Sequence, residues 1–153
     1  MIIFIKRQLY IFLFFISFSI TSQEKTTTVA NISKTIQNYY DGYIHRDLEK
    51  LEKAFDLEHG TMKVPIVKDN KVIGFKNRYF KEVVPKWGNR KKLPKTTLEN
   101  CALHILNIDI VDNTIASAKI SMKVDTIIYI DILSLNKIKG LWKITNKIYT
   151  VRK

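Results

Sequence analysis

Asp131 is the side chain most at odds with its neighbours, because it interrupts an otherwise apolar run over residues 127–135. A carboxylate in such a run, if it faces an enclosed space, is pushed toward its neutral form and becomes a candidate proton shuttle. The plainer reading is a structural carboxylate that accepts hydrogen bonds from its neighbours or lies on a wet sheet edge. Side chains of an extended chain repeat every second residue, so Tyr129 and Leu133 share the face of Asp131. A phenol and a carboxylate on one face suit a polar ligand, and equally suit an interface. His59 is the second candidate for acid–base work, since imidazole titrates near neutrality. His45, His59 and His104 have spacings that match no helical or strand metal pair. The one cysteine, Cys101, excludes a Cys-based zinc site and an intrachain disulfide. Cys101 and His104 would point to opposite faces of a strand, which argues against a nucleophile–base pair and leaves Cys101 as a small buried residue. No metal and no cofactor is expected.

Aromatic residues offer a different chemistry. Tyr39, Tyr43, Trp87, Tyr129 and Trp142 are candidates to stack on a flat ligand, against the simpler reading of a small domain's core. Residues 76–95 carry eight positive side chains, Arg90, Lys91 and Lys92 among them, against the single negative Glu82. Such a segment attracts anionic ligands, anionic membrane or polysaccharide surfaces, or nucleic acid. No nucleic-acid motif accompanies it, so nucleic acid is not expected as a partner, and Arg90-Lys91-Lys92 reads most simply as a solvated loop. No G-x-S-x-G, phosphate loop or dinucleotide fingerprint is present.

The elements that must position these residues fit one small domain. The chain has 153 residues, 46% of them hydrophobic, and a formal charge of +12, which excludes a large enzyme with a separate cofactor domain. Lys6 and Arg7 precede an apolar run over residues 9–20, too short for a spanning helix of about 20 residues and right for a signal-peptide core. Thr21 and Ser22 offer a cleavage point. The expectation is a signal peptide over 1–22, a single domain over 23–153, and export to the periplasm or the exterior. The alternative is an uncleaved anchor extended by residues 1–5. Membrane contact is expected only through this segment or through weak electrostatic attraction.

Val29, Ile32, Ile36, Tyr39 and Tyr43 recur at spacings of three and four and predict an amphipathic helix, with Gly42 marking a bend or a frayed end. Asp47 predicts the N-cap of a second helix that buries Leu48, Leu51 and Phe55. Met62, Val64 and Ile66 predict a strand, Asp69-Asn70-Lys71 a turn, and residues 72–75 a return strand. Phe80, Val83, Val84 and Trp87 predict a third helix, weakened at its end by Pro85. The period then changes to two: Leu106, Ile108 and Ile110, the turn Asp112-Asn113, then Ala116 to Val124, the run 127–135, the turn Lys139-Gly140, and Trp142, Ile144, Asn146 and Ile148. Helices followed by hairpin strands predict an α+β fold with an antiparallel sheet.

These residues carry a resemblance. Tyr39-Tyr40-Asp41-Gly42-Tyr43, then Asp47, Leu51, Ala54 and Phe55, look like the opening helices of the putative lumazine-binding family, within the nuclear transport factor 2-like (SnoaL-like) superfamily. Ile108-Asp109-Ile110 with Ala116, Ala118 and Lys119 resemble its central hairpin. Tyr129, Asp131, Leu133 to Leu135, Gly140, Trp142-Lys143-Ile144 and Lys147 resemble its closing one. The likeness spans residues 32–149. It implies a cone-shaped α+β fold, three N-terminal helices packed in a curved antiparallel sheet around a pocket, with homodimers through the outer sheet face. Isomerases, dehydratases, cyclases and non-enzymatic binding modules share that superfamily. Family members often follow the second helix's aromatic with His-Pro; here Phe55 is followed by Asp56-Leu57, and His59 comes later.

The reading is therefore an exported, homodimeric module that binds a small aromatic or polar ligand. Tyr43, His59, Trp87, Tyr129, Asp131 and Trp142 are its pocket candidates, and Arg90, Lys91 and Lys92 its basic patch. The alternatives are a small isomerase or dehydratase using Asp131 or His59 as general base, and a structural domain whose pocket is filled by its own side chains.

Overall fold

The computed structural model describes residues 26–152; the leader expected over 1–22 lies outside them. Helix α1 occupies residues 26–45 and buries Ile32, Ile36, Tyr39 and Tyr43, as its apolar spacing predicts. The helix runs on past Gly42 to residue 45 rather than fraying there. A Cβ there would lie 2.7 Å from Leu51 Cγ, so the glycine lets the next helix cross closely. Termination comes at Arg46, whose φ of 59° is left-handed. The Asp47 N–H then donates back to the Gly42 carbonyl at 3.0 Å, a Schellman closure. Asp47 immediately caps helix α2, Leu48–Ala54, by accepting from the Lys50 N–H at 3.1 Å.

Helix α3, Phe80–Gly88, buries Phe80, Val83, Val84 and Trp87. Pro85 removes an N–H inside it, yet the helix runs on to Gly88, where the Asn89 N–H donates to the Pro85 carbonyl at 3.0 Å. The basic stretch after it is not all loop: residues 90–92 are exposed, and a short helix α4, Lys95–Glu99, follows.

Six strands form one curved, unclosed sheet: β1 Thr61–Lys68, β2 Lys71–Tyr79, β3 Ala102–Val111, β4 Ile115–Val124, β5 Ile127–Ile138 and β6 Leu141–Arg152. Their order is β2-β1-β6-β5-β4-β3. Every neighbouring pair is antiparallel except β1 with β6, which run parallel through Thr61–Lys63 against Asn146–Ile148. The last strand of the chain thus joins the first hairpin to the later three-stranded meander. Tight turns at Asp69-Asn70, Asp112-Asn113 and Lys139-Gly140 have positive φ at both central residues, the primed geometry that matches strand twist.

The concave face buries Ala116, Ala118, Ile120 and Met122 from β4, Leu133 and Leu135 from β5, and Trp142 and Ile144 from β6 against the helices. Tyr129, Asp131 and Leu133 share this face, as period two requires. The alternation expected along β6 fails halfway. Ser134 pairs with Asn146 but Leu135 with Ile144, so Thr145 is an extra, bulged residue. Beyond it the faces exchange: Lys147 is turned into the core at 4% exposure, and Ile148 is turned outward. A second bulge between Ile105 and Asn107 leaves Leu106 exposed. β2 reaches Tyr79, well past residue 75. No helix among the described residues is long and apolar enough to cross a membrane.

Candidate ligand-binding site

Between α1, α3 and the concave face lies a cavity of about 180 Å³. Tyr39 and Tyr43 reach it from α1, Trp87 from α3, Arg90 from the following loop, Met62 from β1, Met122 from β4, Tyr129 from β5, and Lys147 and Tyr149 from β6. The walls are ring surfaces. Tyr39 stacks on Trp87 at 6.2 Å, Tyr43 meets Trp87 edge-on at 5.6 Å, and Tyr129 lies 6.4 Å from Tyr149.

The floor is polar. Lys147 Nζ lies 2.5 Å from Asp131 Oδ2, and the Tyr39 hydroxyl donates to the same oxygen at 2.9 Å. Lys147 also donates to the Tyr39 hydroxyl oxygen, and its ammonium sits 4.9 Å from the Tyr39 ring centre and 5.2 Å from that of Tyr149. Removing two charges from water is costly, and only direct pairing with further hydrogen bonds makes it tolerable; here the Tyr39 phenol supplies the hydrogen bonds, and the ring faces of Tyr39, Trp87 and Tyr149 add cation–π attraction. The second carboxylate oxygen, Asp131 Oδ1, is buried with no partner among the described residues.

Burial, reinforced by the Asp131 charge, holds the Tyr39 phenol well above its ordinary pKa. Burial and the neighbouring Tyr43 push Tyr129 up to about 12, and burial and Asp131 raise Tyr149. These three phenols are therefore neutral at physiological pH. At the rim, Arg90 donates to the Tyr43 hydroxyl at 3.0 Å and lies 5.7 Å from its ring centre. Arg46 lies 5.2 Å from that same ring, pushed below the ordinary guanidinium value by burial and by the Arg90 charge.

Tyr43, Trp87, Tyr129 and Arg90 thus come together around one space. Asp131 does not reach its wall: the carboxylate is fully buried behind Tyr39 and Lys147. His59 stands away from the cavity in the turn before β1, its side chain 76% exposed, with Asp56 and Glu58 each 3.7 Å from the ring. Trp142 is buried near the other end of β6, where it lines a second cavity of about 410 Å³ with Lys34, Thr35 and Lys53, and its indole N–H has no partner among the described residues. Lys91 and Lys92 face solvent. The Cys101 thiol donates to the Thr97 carbonyl at 3.2 Å, and His45 and His104 are exposed. Among the described residues, no group of three or more His, Cys, Asp or Glu side chains could hold a metal ion.

None of the described residues lining the cavity is a carboxylate or an imidazole, so neither Asp131 nor His59 is placed to take a proton from a molecule inside it. The site residue that alternation hides is Lys147. The only local signal for it is the polar pair Thr145-Asn146, which breaks an otherwise regular strand and marks where the bulge falls.

Comparison with known proteins agrees with this architecture. The family described as putative lumazine-binding matches residues 27–150. The chain belongs to that family. No curated protein matches it significantly. Among solved structures, a nuclear transport factor 2-like protein of unknown function from Shewanella baltica superposes with a TM-score of 0.69 at 23% identity, covering 84% of this chain and 96% of the other. Another of unknown function, from Methylobacillus flagellatus, gives 0.63 at 24% identity over 82% and 92%. A ketosteroid isomerase-like protein from Erwinia carotovora atroseptica gives 0.56 at 12% identity over 81% and 95%. At these identities the likeness is one of fold. In this putative lumazine-binding family member, the cavity occupies the hollow of that fold.

Proposed function

We propose that the chain is a small-ligand-binding domain and that a flat molecule occupies the cavity between the ring faces of Tyr43, Trp87, Tyr129 and Tyr149. One observation carries this reading: a preformed aromatic space whose floor holds a buried ammonium, Lys147, already neutralised by Asp131 and steadied by Tyr39. Such preorganisation suits binding, because ordering costs are met before the ligand arrives. Native mass spectrometry of the full chain tests it. A small bound mass on the wild type that is absent from Trp87→Ala supports the reading. A wild type that carries nothing, and whose tyrosine and tryptophan signals ignore added flat heteroaromatic compounds, defeats it.

The same measurement counts subunits. Dimerisation through the outer sheet face is supported by Ile132 and Ile148, which pair across β5 and β6 and are 46% and 41% exposed. Export is supported by the basic and apolar leader over residues 1–22, and N-terminal sequencing of the recovered protein checks it. A second reading, an isomerase- or dehydratase-type enzyme, is favoured by Tyr39 and Lys147, which line the cavity themselves and share the buried Asp131 carboxylate behind them. It requires turnover that Tyr39→Phe removes while ligand binding persists.

A further inference from the structure

The wall of the cavity offers donors and positive charge, with no negative group to balance them. An ammonium has three N–H donors. Two of those on Lys147 go to Asp131 Oδ2 and to the Tyr39 hydroxyl, which leaves one for the cavity. The Tyr39 proton is itself committed to Asp131. Arg90 has five donors, and one is used on Tyr43. Charge follows the same pattern. Lys147 is neutralised by Asp131, whereas none of the ion pairs among the described residues includes Arg90 or its neighbour Arg46. Both guanidiniums crowd the Tyr43 ring, at 5.7 Å and 5.2 Å. The excess is one of sign and place: an uncompensated positive rim, and a floor that asks for a neutral acceptor.

We propose that the ligand is a small flat aromatic acid, bound as a monoanion with its carboxylate against Arg90 and a ring-borne oxygen accepting from Lys147. This rests on the small-ligand reading above and adds the class of molecule. Arg90 suits a carboxylate because its planar fork can donate two parallel hydrogen bonds. The ring faces select a planar body, and the nearest cation at the floor is already paired, so a second negative charge finds no partner there.

The test is calorimetric titration of the full chain with 4-hydroxybenzoate, 4-hydroxybenzamide and 4-hydroxybenzylamine. These share a ring and a hydroxyl and differ in carrying a negative, no, or a positive charge. The acid is expected to bind at least about tenfold more tightly than the amide, and the amine most weakly. Arg90→Gln is expected to abolish the acid's advantage, and Arg90→Lys, which keeps the charge, to retain part of it. Equal binding of acid and amide, or an advantage that survives Arg90→Gln, overturns the acid proposal and leaves the cavity reading standing. Failure of all three compounds to bind overturns the acid proposal, and the cavity reading then stands or falls on the native mass spectrometry described above.

Discussion

The cavity floor and the outer part of the β1–β2 hairpin are built from the same strand geometry and treat their side chains in opposite ways. On the floor, Asp131 is completely buried, Lys147 is 4% exposed, and each polar contact is made within a few ångströms. On the hairpin, β1 touches β6 only through Thr61–Lys63, and past that point Val67, Ile73 and Phe75 are each about 60% exposed. Charged groups lie inside at one place and apolar groups outside at the other. Burial is therefore set by what stands opposite a strand rather than by the residue's own character. The floor has α1 above it; among the described residues no helix covers Val67, Ile73 and Phe75 of the outer hairpin.

If that contrast holds, substitution should be expensive on the floor and cheap on the hairpin. Lys147→Met strands a buried carboxylate and should cost about 3–5 kcal/mol in urea unfolding. Asp131→Leu strands the ammonium and should cost a similar amount. The double variant should recover most of the loss yet bind no ligand, which separates stability from function. A double variant as unstable as the worse single one would show that packing, not unpaired charge, dominates there. At the base of the hairpin, Gly60→Ala should destabilise by about 1–3 kcal/mol, because the added methyl would come within 2.4 Å of both the Asp56 carbonyl and the Phe80 ring.

The pH profile sharpens the contrast further. Tyr39, Tyr129 and Tyr149 all have raised folded values, so the folded state holds their protons longer than the unfolded chain does. Their contribution is fully present below the unfolded value of about 10 and is lost as pH rises toward about 12, where Tyr129 titrates. Unfolding free energy measured from pH 9 to 12 should fall across that window, and less steeply in Tyr129→Phe. The smallest effect belongs to the hairpin: Ile73→Thr should change stability by no more than about 0.5 kcal/mol. A larger loss in the full chain would mean that a second surface covers the hairpin in solution.

Much of the fold is legible because its signals are local. Asp47 announces a cap, the Asp-Asn pairs announce primed turns, and Ala116 to Met122 alternate against a real core. On the hairpin the alternation of Met62, Val64 and Ile66 names a strand, but only Met62 is fully buried. Of the candidate site, Tyr43, Trp87 and Tyr129 follow from helical spacing and period two. Lys147 does not, because one bulged residue, Thr145, reverses every inward assignment after it. His59 and Trp142 lie off the wall for another reason: the chain turns at Asp56 before β1 begins, and Trp142 lies on the near side of the bulge. The parallel seam between β1 and β6 joins residues 85 positions apart in sequence, and no neighbouring residue announces it.

The place of β6 in the strand order governs when this protein can become itself during synthesis. Residues 141–152 are synthesised after the other five strands, yet they occupy the middle of the finished sheet, between β1 and β5. Until then the hairpin and the meander are two unjoined pieces, and Asp131 awaits a counter-charge still inside the exit tunnel. A nascent chain stalled before residue 147 is thus not a slightly shortened domain but one without its central seam.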